Sequence, residues 1–213
     1  MQSQILRISS GYINQVNDPV PGLSAVPGGT GVSPYFGQVG KWLDLDDSAL
    51  KFNSSVGTVW GGRFQYVKLA ATATSNPAVG QIVFWDDANA ASEYEVTTLE
   101  DASSTPNAVQ IAGIVLSNVW TAGYYSIIQT VGLVNVKFRA VLTSAGQLGS
   151  SVYAAGAGAG ADNGLADVIA SATPTQFGDV TLMQARFLGV AQYTAPTGGG
   201  TSRVSLGFTR YRE

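Results

Sequence analysis

Short apolar stretches, each bounded by turn-forming residues, recur at intervals of roughly ten positions from residue 64 onward. Phe64–Leu69 alternates apolar and polar residues, which is typical of a strand with one buried face. Ile82–Trp85 is a short apolar run that ends at Asp86, which is typical of a buried strand. The same pattern is found in Val109–Leu116, Tyr124–Val131, Leu133–Phe138, Arg186–Tyr193 and Arg203–Tyr211. This spacing predicts an all-β fold, built as a barrel or a sandwich.

An approximate internal repeat runs through this strand-rich part. Val67-Lys68-Leu69 recurs 69 positions later as Val136-Lys137-Phe138, and the stretch that begins at Gly80 recurs from Gly149. Each copy then reaches an apolar strand with a central glycine: Ile111–Val115 in the first and Phe187–Ala191 in the second. Two copies are too few for a solenoid. The pattern therefore favours a β domain (63–213) of two related halves, about 64–132 and 133–211, although chance similarity between simple β sequences is the alternative.

The first 62 residues differ in composition from the rest. Prolines at 19, 21, 27 and 34 and many glycines interrupt any helix or strand ladder. The segment still carries apolar side chains that a disordered tail would lack. We expect either an extended arm (1–62) that docks on a partner or an irregular part of the β domain. The residues predicted to contact a partner are Ile5, Leu6, Ile8, Tyr12, Ile13, Tyr35, Phe36 and Trp42.

Composition excludes most routes to catalysis. The chain has no histidine and no cysteine, so it lacks the commonest general base, thiol nucleophile and transition-metal ligands. We therefore expect no enzyme activity, no cofactor and no metal. The net charge is -3 with no dense Lys/Arg run, so no direct nucleic-acid binding is expected. No apolar run approaches the roughly 20 residues of a membrane span, so no membrane partner is expected. Charged residues make up only 12%, which predicts a surface covered by partners or rich in uncharged polar groups.

Clustered carboxylates and aromatic residues offer the remaining chemical readings. Asp44, Asp46 and Asp47 could bind calcium, but the glycine and distal glutamate of a helix-loop-helix calcium site are not in place. Paired acids beside aromatics could serve a glycosidase, although these acids read most simply as solvated loop charges. The acids in question are Asp86, Asp87, Glu93, Glu95, Glu100 and Asp101. Sugar stacking is the alternative use of Trp42, Trp60, Trp85 and Trp120, which could equally serve a core or an interface.

Several glycine-containing strands together resemble a known family. They are Gly80–Asp86, Ile111–Leu116 and Gly123–Gly132, followed in the second half by Gly149–Ala154 and Leu188–Ala191. Over roughly residues 64–210 the chain resembles the capsid decoration (cement, or head-stabilisation) proteins of tailed bacteriophages. The resemblance lies in the spacing of glycines and apolar residues, and it does not extend to the first 62 residues.

The resemblance implies a small β-barrel or β-tulip domain with an extended N-terminal arm. It implies a homotrimer on the outside of the virion capsid, made in the host cytoplasm, that bridges and stabilises major capsid protein subunits. The alternative is a carbohydrate- or receptor-binding β module of a tail or surface fibre.

Overall fold

The strand-rich pattern folds into one sheet of ten strands. The computed structural model describes residues 42–45, 62–70, 76–86, 94–98, 111–116, 122–123, 125–155, 163–168 and 186–207. Its strands are β1 (Trp42–Leu45), β2 (Gly62–Leu69), β3 (Ile82–Trp85), β4 (Glu95–Thr97), β5 (Ile111–Val115), β6 (Tyr125–Lys137), β7 (Ser151–Ala154), β8 (Ala166–Val168), β9 (Phe187–Ala191) and β10 (Thr201–Leu206). The predicted all-β class is confirmed. Within these ranges no helix is long and apolar enough to cross a membrane.

Five of the strands close on themselves in the first half of the chain. The sheet runs β2-β4-β3-β5-β6, and β6 also pairs antiparallel with β2. The parallel pairing of β2 with β4 joins Lys68 to Glu95 and Leu69 to Val96. These five strands therefore form a small closed barrel, which we call ring 1. Where β2 and β6 pair with each other, neither strand has a free edge.

A second closed set, ring 2, contains β6, β10, β9, β7 and β8 in that order. It is closed by a parallel bridge between Phe138, which directly follows β6, and Ala166 in β8. This bridge is the counterpart of the pairing of Leu69 with Val96 in ring 1. Each ring thus has one parallel closure and otherwise antiparallel neighbours.

Strand β6 belongs to both rings. Its first half pairs with β2 and β5, and Gly132–Lys137 pairs with β10. The sequence predicted two strands here, Tyr124–Val131 and Leu133–Phe138, and that separation was wrong. Gly132 takes a φ of 107°, which glycine adopts without the steric cost of a side chain, and so the strand continues through it.

Strand β1 lies within the segment predicted as an arm. It pairs antiparallel with β2 along its whole length, from Trp42 opposite Gln65 to Leu45 opposite Gly62. The remainder of the predicted arm, residues 1–41 and 46–61, lies outside the described residues. Residues 42–45 are thus part of the sheet.

Apolar side chains fill the interior of each ring. The core cluster of ring 1 consists of Val67, Leu69, Val83, Trp85, Val96, Ala112, Val115 and Ile128, with Tyr94 packed against it. In ring 2 the fully buried apolar side chains include Val136, Phe138, Val152, Val168, Leu188 and Val204. Burial of such side chains contributes about 1.5–3 kcal/mol each, before entropy is counted.

The two rings also share finer details of backbone geometry. The pairing of β3 with β5 shifts register between Val83 and Phe84, and that of β7 with β9 shifts between Val152 and Tyr153. In both rings the first strand after β2 or β6 starts from a tight turn. We call Ala78–Gln81 the leading turn of ring 1 and Gln147–Ser150 the leading turn of ring 2.

The leading turns have the same hydrogen bonds. The Gln81 amide donates to the Ala78 carbonyl at 3.1 Å, and the Ser150 amide donates to the Gln147 carbonyl at 3.0 Å. The third residue of each turn is a glycine with a positive φ, 81° at Gly80 and 85° at Gly149. A positive φ at this position is the mark of a type II turn and explains the glycines.

Candidate interaction surface

The loops at one end of ring 2 form a surface that we call the rim. It comprises residues 139–150, which join β6 to β7, and residues 192–200, which join β9 to β10. Three large apolar side chains are exposed on it: Val141 at 74%, Leu148 at 71% and Tyr193 at 55%. They are the large apolar side chains that are exposed within the described ranges. All three lie on these two loops, which makes the rim the candidate interaction surface.

A buried carboxylate holds the first rim loop in place. Asp167 is 4% exposed, and one of its oxygens accepts a hydrogen bond from the Thr143 amide at 2.8 Å. The Thr143 hydroxyl donates to the other oxygen, and the Arg139 guanidinium lies 3.1 Å from that oxygen. The Val168 amide also donates to the Asp167 carboxylate at 2.8 Å. Four donors converge on this buried acid, so the loop that presents Val141 has a fixed path.

The second rim loop is tied to the first by backbone hydrogen bonds. The Gly198 amide donates to the Ala140 carbonyl at 2.9 Å, and the Phe138 amide donates to the Gly200 carbonyl at 2.8 Å. Ala195, in the middle of this loop, is buried at 3% exposure. The rim is therefore a defined surface rather than two independent loops.

Tyr193 carries a positive charge over its ring. The Arg203 guanidinium carbon lies 5.0 Å from the centre of the Tyr193 ring, and an Arg203 nitrogen lies 3.4 Å from the Tyr193 hydroxyl oxygen. Such stacking is worth about 0.5–1 kcal/mol at an exposed site. It orients the tyrosine ring, so that one aromatic surface on the rim is held in place before any partner binds.

The acids considered for glycosidase chemistry are only partly described. Asp86 and Glu95 are buried, at 8% and 7% exposure, so the reading of both as solvated loop charges was wrong. The Glu95 carboxylate accepts a hydrogen bond from the Lys68 ammonium at 2.6 Å. Glu95 thus serves as the buried partner of a lysine. The other four acids, Asp87, Glu93, Glu100 and Asp101, lie outside the described residues.

The other sequence-derived sites can be located only in part. Asp44 is in β1, whereas Asp46 and Asp47 lie outside the described residues. In the described part of the chain, no three acidic side chains are grouped so that they could hold a metal ion. Trp85 is buried at 3% exposure and meets the Tyr94 ring edge-on at 6.4 Å. Trp85 is therefore a core residue of ring 1, and Trp60 and Trp120 lie outside the described residues.

The residues predicted to contact a partner are not among those that make up the rim. Ile5, Leu6, Ile8, Tyr12, Ile13, Tyr35 and Phe36 lie outside the described residues, and Trp42 begins β1. The rim residues were not predicted as contacts. A usable signal was present, because Val141 and Leu148 are large apolar residues in a connecting segment otherwise rich in serine, glycine and alanine.

Comparisons with known proteins provide no relative. No protein-family model, no curated protein and no solved structure matches the chain. The function is therefore argued from the chain itself.

Proposed function

We propose that the protein is a virion structural protein, a capsid decoration subunit that binds the outer surface of a phage head. The observation that carries this proposal is the rim, on which Val141, Leu148 and Tyr193 are exposed by more than half. Large apolar side chains that face water on a fixed surface are stabilised when a partner protein covers them. The resemblance in glycine and apolar spacing supplies the kind of partner, the major capsid protein.

Binding through the rim requires no chemical step. A fully covered valine or leucine contributes about 1.5–3 kcal/mol of transfer free energy, and aromatic residues are frequent among the residues that dominate binding. The rim loops themselves contain no aspartate or glutamate. Arg139 is paired with Asp167, so the Arg203 guanidinium over Tyr193 is the charge that must lose water when this surface is covered, which suits a subunit that acts by contact area and not by turnover.

Two ion pairs described in the interior join parts of the scaffold. Lys68 is paired with Glu95, and Arg139 with Asp167, in side-chain contacts that are mostly buried. Neither pair provides two carboxylates around a space where a substrate bond could lie. This arrangement favours a structural role over the hydrolase reading, and no cofactor is part of the proposal.

A carbohydrate- or receptor-binding module is the competing proposal, and Tyr193 with its stacked Arg203 is the feature that favours it. Sugar stacking platforms use aromatic rings with polar neighbours on one face. Val141 and Leu148, the other exposed large side chains of the rim, offer no ring for this purpose. Binding on a glycan array would favour this alternative over capsid decoration.

The decisive experiment is to count the protein in purified virus particles by quantitative peptide mass spectrometry. A decoration subunit is expected in hundreds of copies per particle, because it follows the capsid lattice. A handful of copies would indicate a tail or portal component, and absence from the particles would overturn the proposal. Labelling with an antibody and electron microscopy would then place the protein on the head or the tail.

A further inference from the structure

The two rings meet at a specific pair of backbone hydrogen bonds. The Lys137 amide, at the end of β6, donates to the Gly80 carbonyl at 2.8 Å, and the Ile82 amide donates to the Gly164 carbonyl at 2.7 Å. The segment Gly80–Ile82 of ring 1 thus lies between Lys137 and Gly164 of ring 2. Asn163 contributes a further contact, since its carbonyl oxygen lies 3.5 Å from the Gln81 side-chain nitrogen.

Ring 1 shows the same site without an inserted segment. There Lys68 and Tyr94 are the counterparts of Lys137 and Gly164, and the Lys68 amide donates directly to the Tyr94 carbonyl at 3.1 Å. Tyr94 has a φ of 68°, close to the 71° of Gly164, and is the one non-glycine residue with a positive φ in the described part of the chain. A tyrosine is uncommon in this conformation.

The neighbouring hydrogen bonds show that the two sites are equivalent. The Ala70 amide donates to the Val96 carbonyl at 2.9 Å in ring 1, and the Arg139 amide donates to the Ala166 carbonyl at 3.0 Å in ring 2. Toward the start of these strands, ring 1 continues this parallel ladder with the hydrogen bond from Lys68 to Tyr94. Ring 2 instead accommodates the Gly80–Ile82 segment between its two strands.

Ring 2 carries its own copy of the inserted segment. Gly149–Ser151 occupies in ring 2 the position of Gly80–Ile82, since the Gly80 amide donates to the Val115 carbonyl at 2.9 Å and the Gly149 amide to the Ala191 carbonyl at 2.8 Å. The leading turns before these segments have the same hydrogen bonds and the same positive φ.

The two leading turns differ in what covers them. Gly80 is buried, and a β-carbon placed on it would lie 3.2 Å from both the Asn135 carbonyl oxygen and the Lys137 nitrogen. Gly149 is exposed, a β-carbon there meets no atom of the described residues within 4 Å, and Leu148 beside it is 71% exposed. The leading turn of ring 1 is thus covered by ring 2, whereas the equivalent leading turn of ring 2 is exposed.

We propose that the leading turn of ring 2 docks on ring 1 of a second copy of this chain. The Gly149–Ser151 segment inserts between Lys68 and Tyr94 of that copy. The hydrogen bond from the Lys68 amide to the Tyr94 carbonyl is then replaced by two hydrogen bonds between the copies. The Lys68 amide donates to the Gly149 carbonyl of the inserted segment, and the Ser151 amide of that segment donates to the Tyr94 carbonyl. The occupant is another copy because ring 1 carries the counterpart of the site that accepts this segment within the chain.

The contact joins two different surfaces, ring 2 of one copy and ring 1 of the next. Such head-to-tail association produces a closed ring of subunits if the rotation closes and a filament if it does not. The inference does not depend on binding to a phage head. Self-association is measured without virus particles, so a failure here leaves the proposed function untouched.

The first test is sedimentation equilibrium of the full chain over a wide range of concentrations. The natural sequence is expected to self-associate, and Leu148→Asp is expected to weaken that association at least tenfold because a charge is buried at the contact. Val141→Asp is the matched control: it places the same charge on an equally exposed rim residue outside the leading turn, and association should stay unchanged. A monomer at all concentrations, or equal effects of the two variants, would overturn the inference.

A disulfide cross-link tests the predicted geometry directly. A β-carbon on Gly164 would lie 3.5 Å from that of Gln81 and 2.9 Å from the Ile82 carbonyl oxygen. The docked segment must therefore shift by a few tenths of an ångström to clear the Tyr94 β-carbon, which leaves the β-carbons of Tyr94 and Ser150 within the range of a disulfide. The natural chain has no cysteine. Oxidising a mixture of Tyr94→Cys and Ser150→Cys should give a mixed dimer on a non-reducing gel. A yield no higher than that of Tyr94→Cys mixed with Asn76→Cys, an exposed position in ring 1, would contradict the proposed contact.

Discussion

Gly113 and Gly189 occupy the same position in the two rings, each where an added β-carbon would meet a backbone carbonyl of the next strand. Gly113 lies opposite Val83 in β3, and Gly189 lies opposite Val152 in β7. A β-carbon on Gly113 would lie 2.7 Å from the Gln129 carbonyl oxygen, and one on Gly189 would collide with the Ser205 carbonyl. Because backbone cannot rotate aside as a flexible side chain can, both rings need glycine here.

Gly189→Ala should therefore lower the free energy of unfolding by about 3 kcal/mol, near the upper end for overpacking a closed interior. The measurement is urea unfolding followed by tryptophan fluorescence. Gly207→Ala is the control, because a β-carbon there would lie 3.4 Å from the Phe187 ring, an ordinary contact. Equal stability of Gly189→Ala and Gly207→Ala would show that β9 and β10 do not approach as described.

Asp167→Ala should release the first rim loop. It removes the acceptor of the Thr143 amide and the partner of Arg139, and the loss of a largely buried acceptor costs about 2–3 kcal/mol. Native-state hydrogen exchange should show much faster exchange of the Thr143 amide. Asp167→Asn keeps an oxygen for that amide and should have a smaller effect. Unchanged protection of Thr143 in the alanine variant would contradict the role assigned to Asp167.

Gln129→Met should loosen the passage of β6 from ring 1 to ring 2. The Gln129 side-chain nitrogen donates to the Val131 carbonyl at 3.2 Å and to the Leu133 carbonyl at 3.1 Å, one on each side of Gly132. Methionine preserves the volume and removes both hydrogen bonds, which should lower the free energy of unfolding by about 1–3 kcal/mol. Thermal unfolding by circular dichroism measures the effect. A melting temperature equal to that of the natural protein would rule out a structural role for this amide.

Val141→Asp and Tyr193→Asp should weaken binding to phage heads at least tenfold while the fold is retained. Both place a charge in a surface that the proposed function requires to be covered by another protein. Cosedimentation of labelled protein with purified, undecorated heads measures the affinity. Asn76→Asp adds the same charge at an exposed position of ring 1 and serves as the control. Head binding by both rim variants at full affinity would remove the rim from the proposed function.

Deleting residues 1–40 tests the other predicted contact surface. The arm prediction, which includes Ile5, Tyr12 and Phe36, expects the truncated chain to lose head binding. Because the deletion ends before β1, the pairing of β1 with β2 should survive and the β domain should stay folded. Circular dichroism checks the fold, and the cosedimentation assay checks binding. Undiminished affinity of the truncated chain would show that the arm is not a contact surface.

Local pattern was sufficient to predict the fold class and several strands. Ile82–Trp85 was predicted as a strand and has the same bounds in the structure. Glu95–Thr97 and Ala166–Val168 were missed because each strand has three residues, too few for a periodic signal. Each of these strands contains a buried acid, Glu95 or Asp167, whose cationic partner lies 27 or 28 residues away in the sequence. The burial of these acids therefore cannot be predicted from the residues next to them.

The rim was not predicted, for a different reason. Val141 and Leu148 lie in a connection, where apolar and polar residues follow no period that separates an inner face from an outer face. Their exposure depends on where Asp167 and the 192–200 loop hold the 139–150 loop. The continuity of β6 was also not predicted. Glycine is usually a turn signal, whereas Gly132, with its positive φ, lies within a continuous strand.

The two barrels pair with different halves of β6, Tyr125–Gly132 in ring 1 and Gly132–Lys137 in ring 2, so one unbroken strand passes from one barrel to the other. A protease cut at Gly132 would leave each barrel with the part of β6 that it pairs with, but would break the covalent connection that β6 makes between them. Loss of order in one barrel therefore propagates to the other through a common strand, and we expect a single cooperative melting transition for the entire β domain. A continuous strand of 13 residues is thus what makes two small barrels behave as one body.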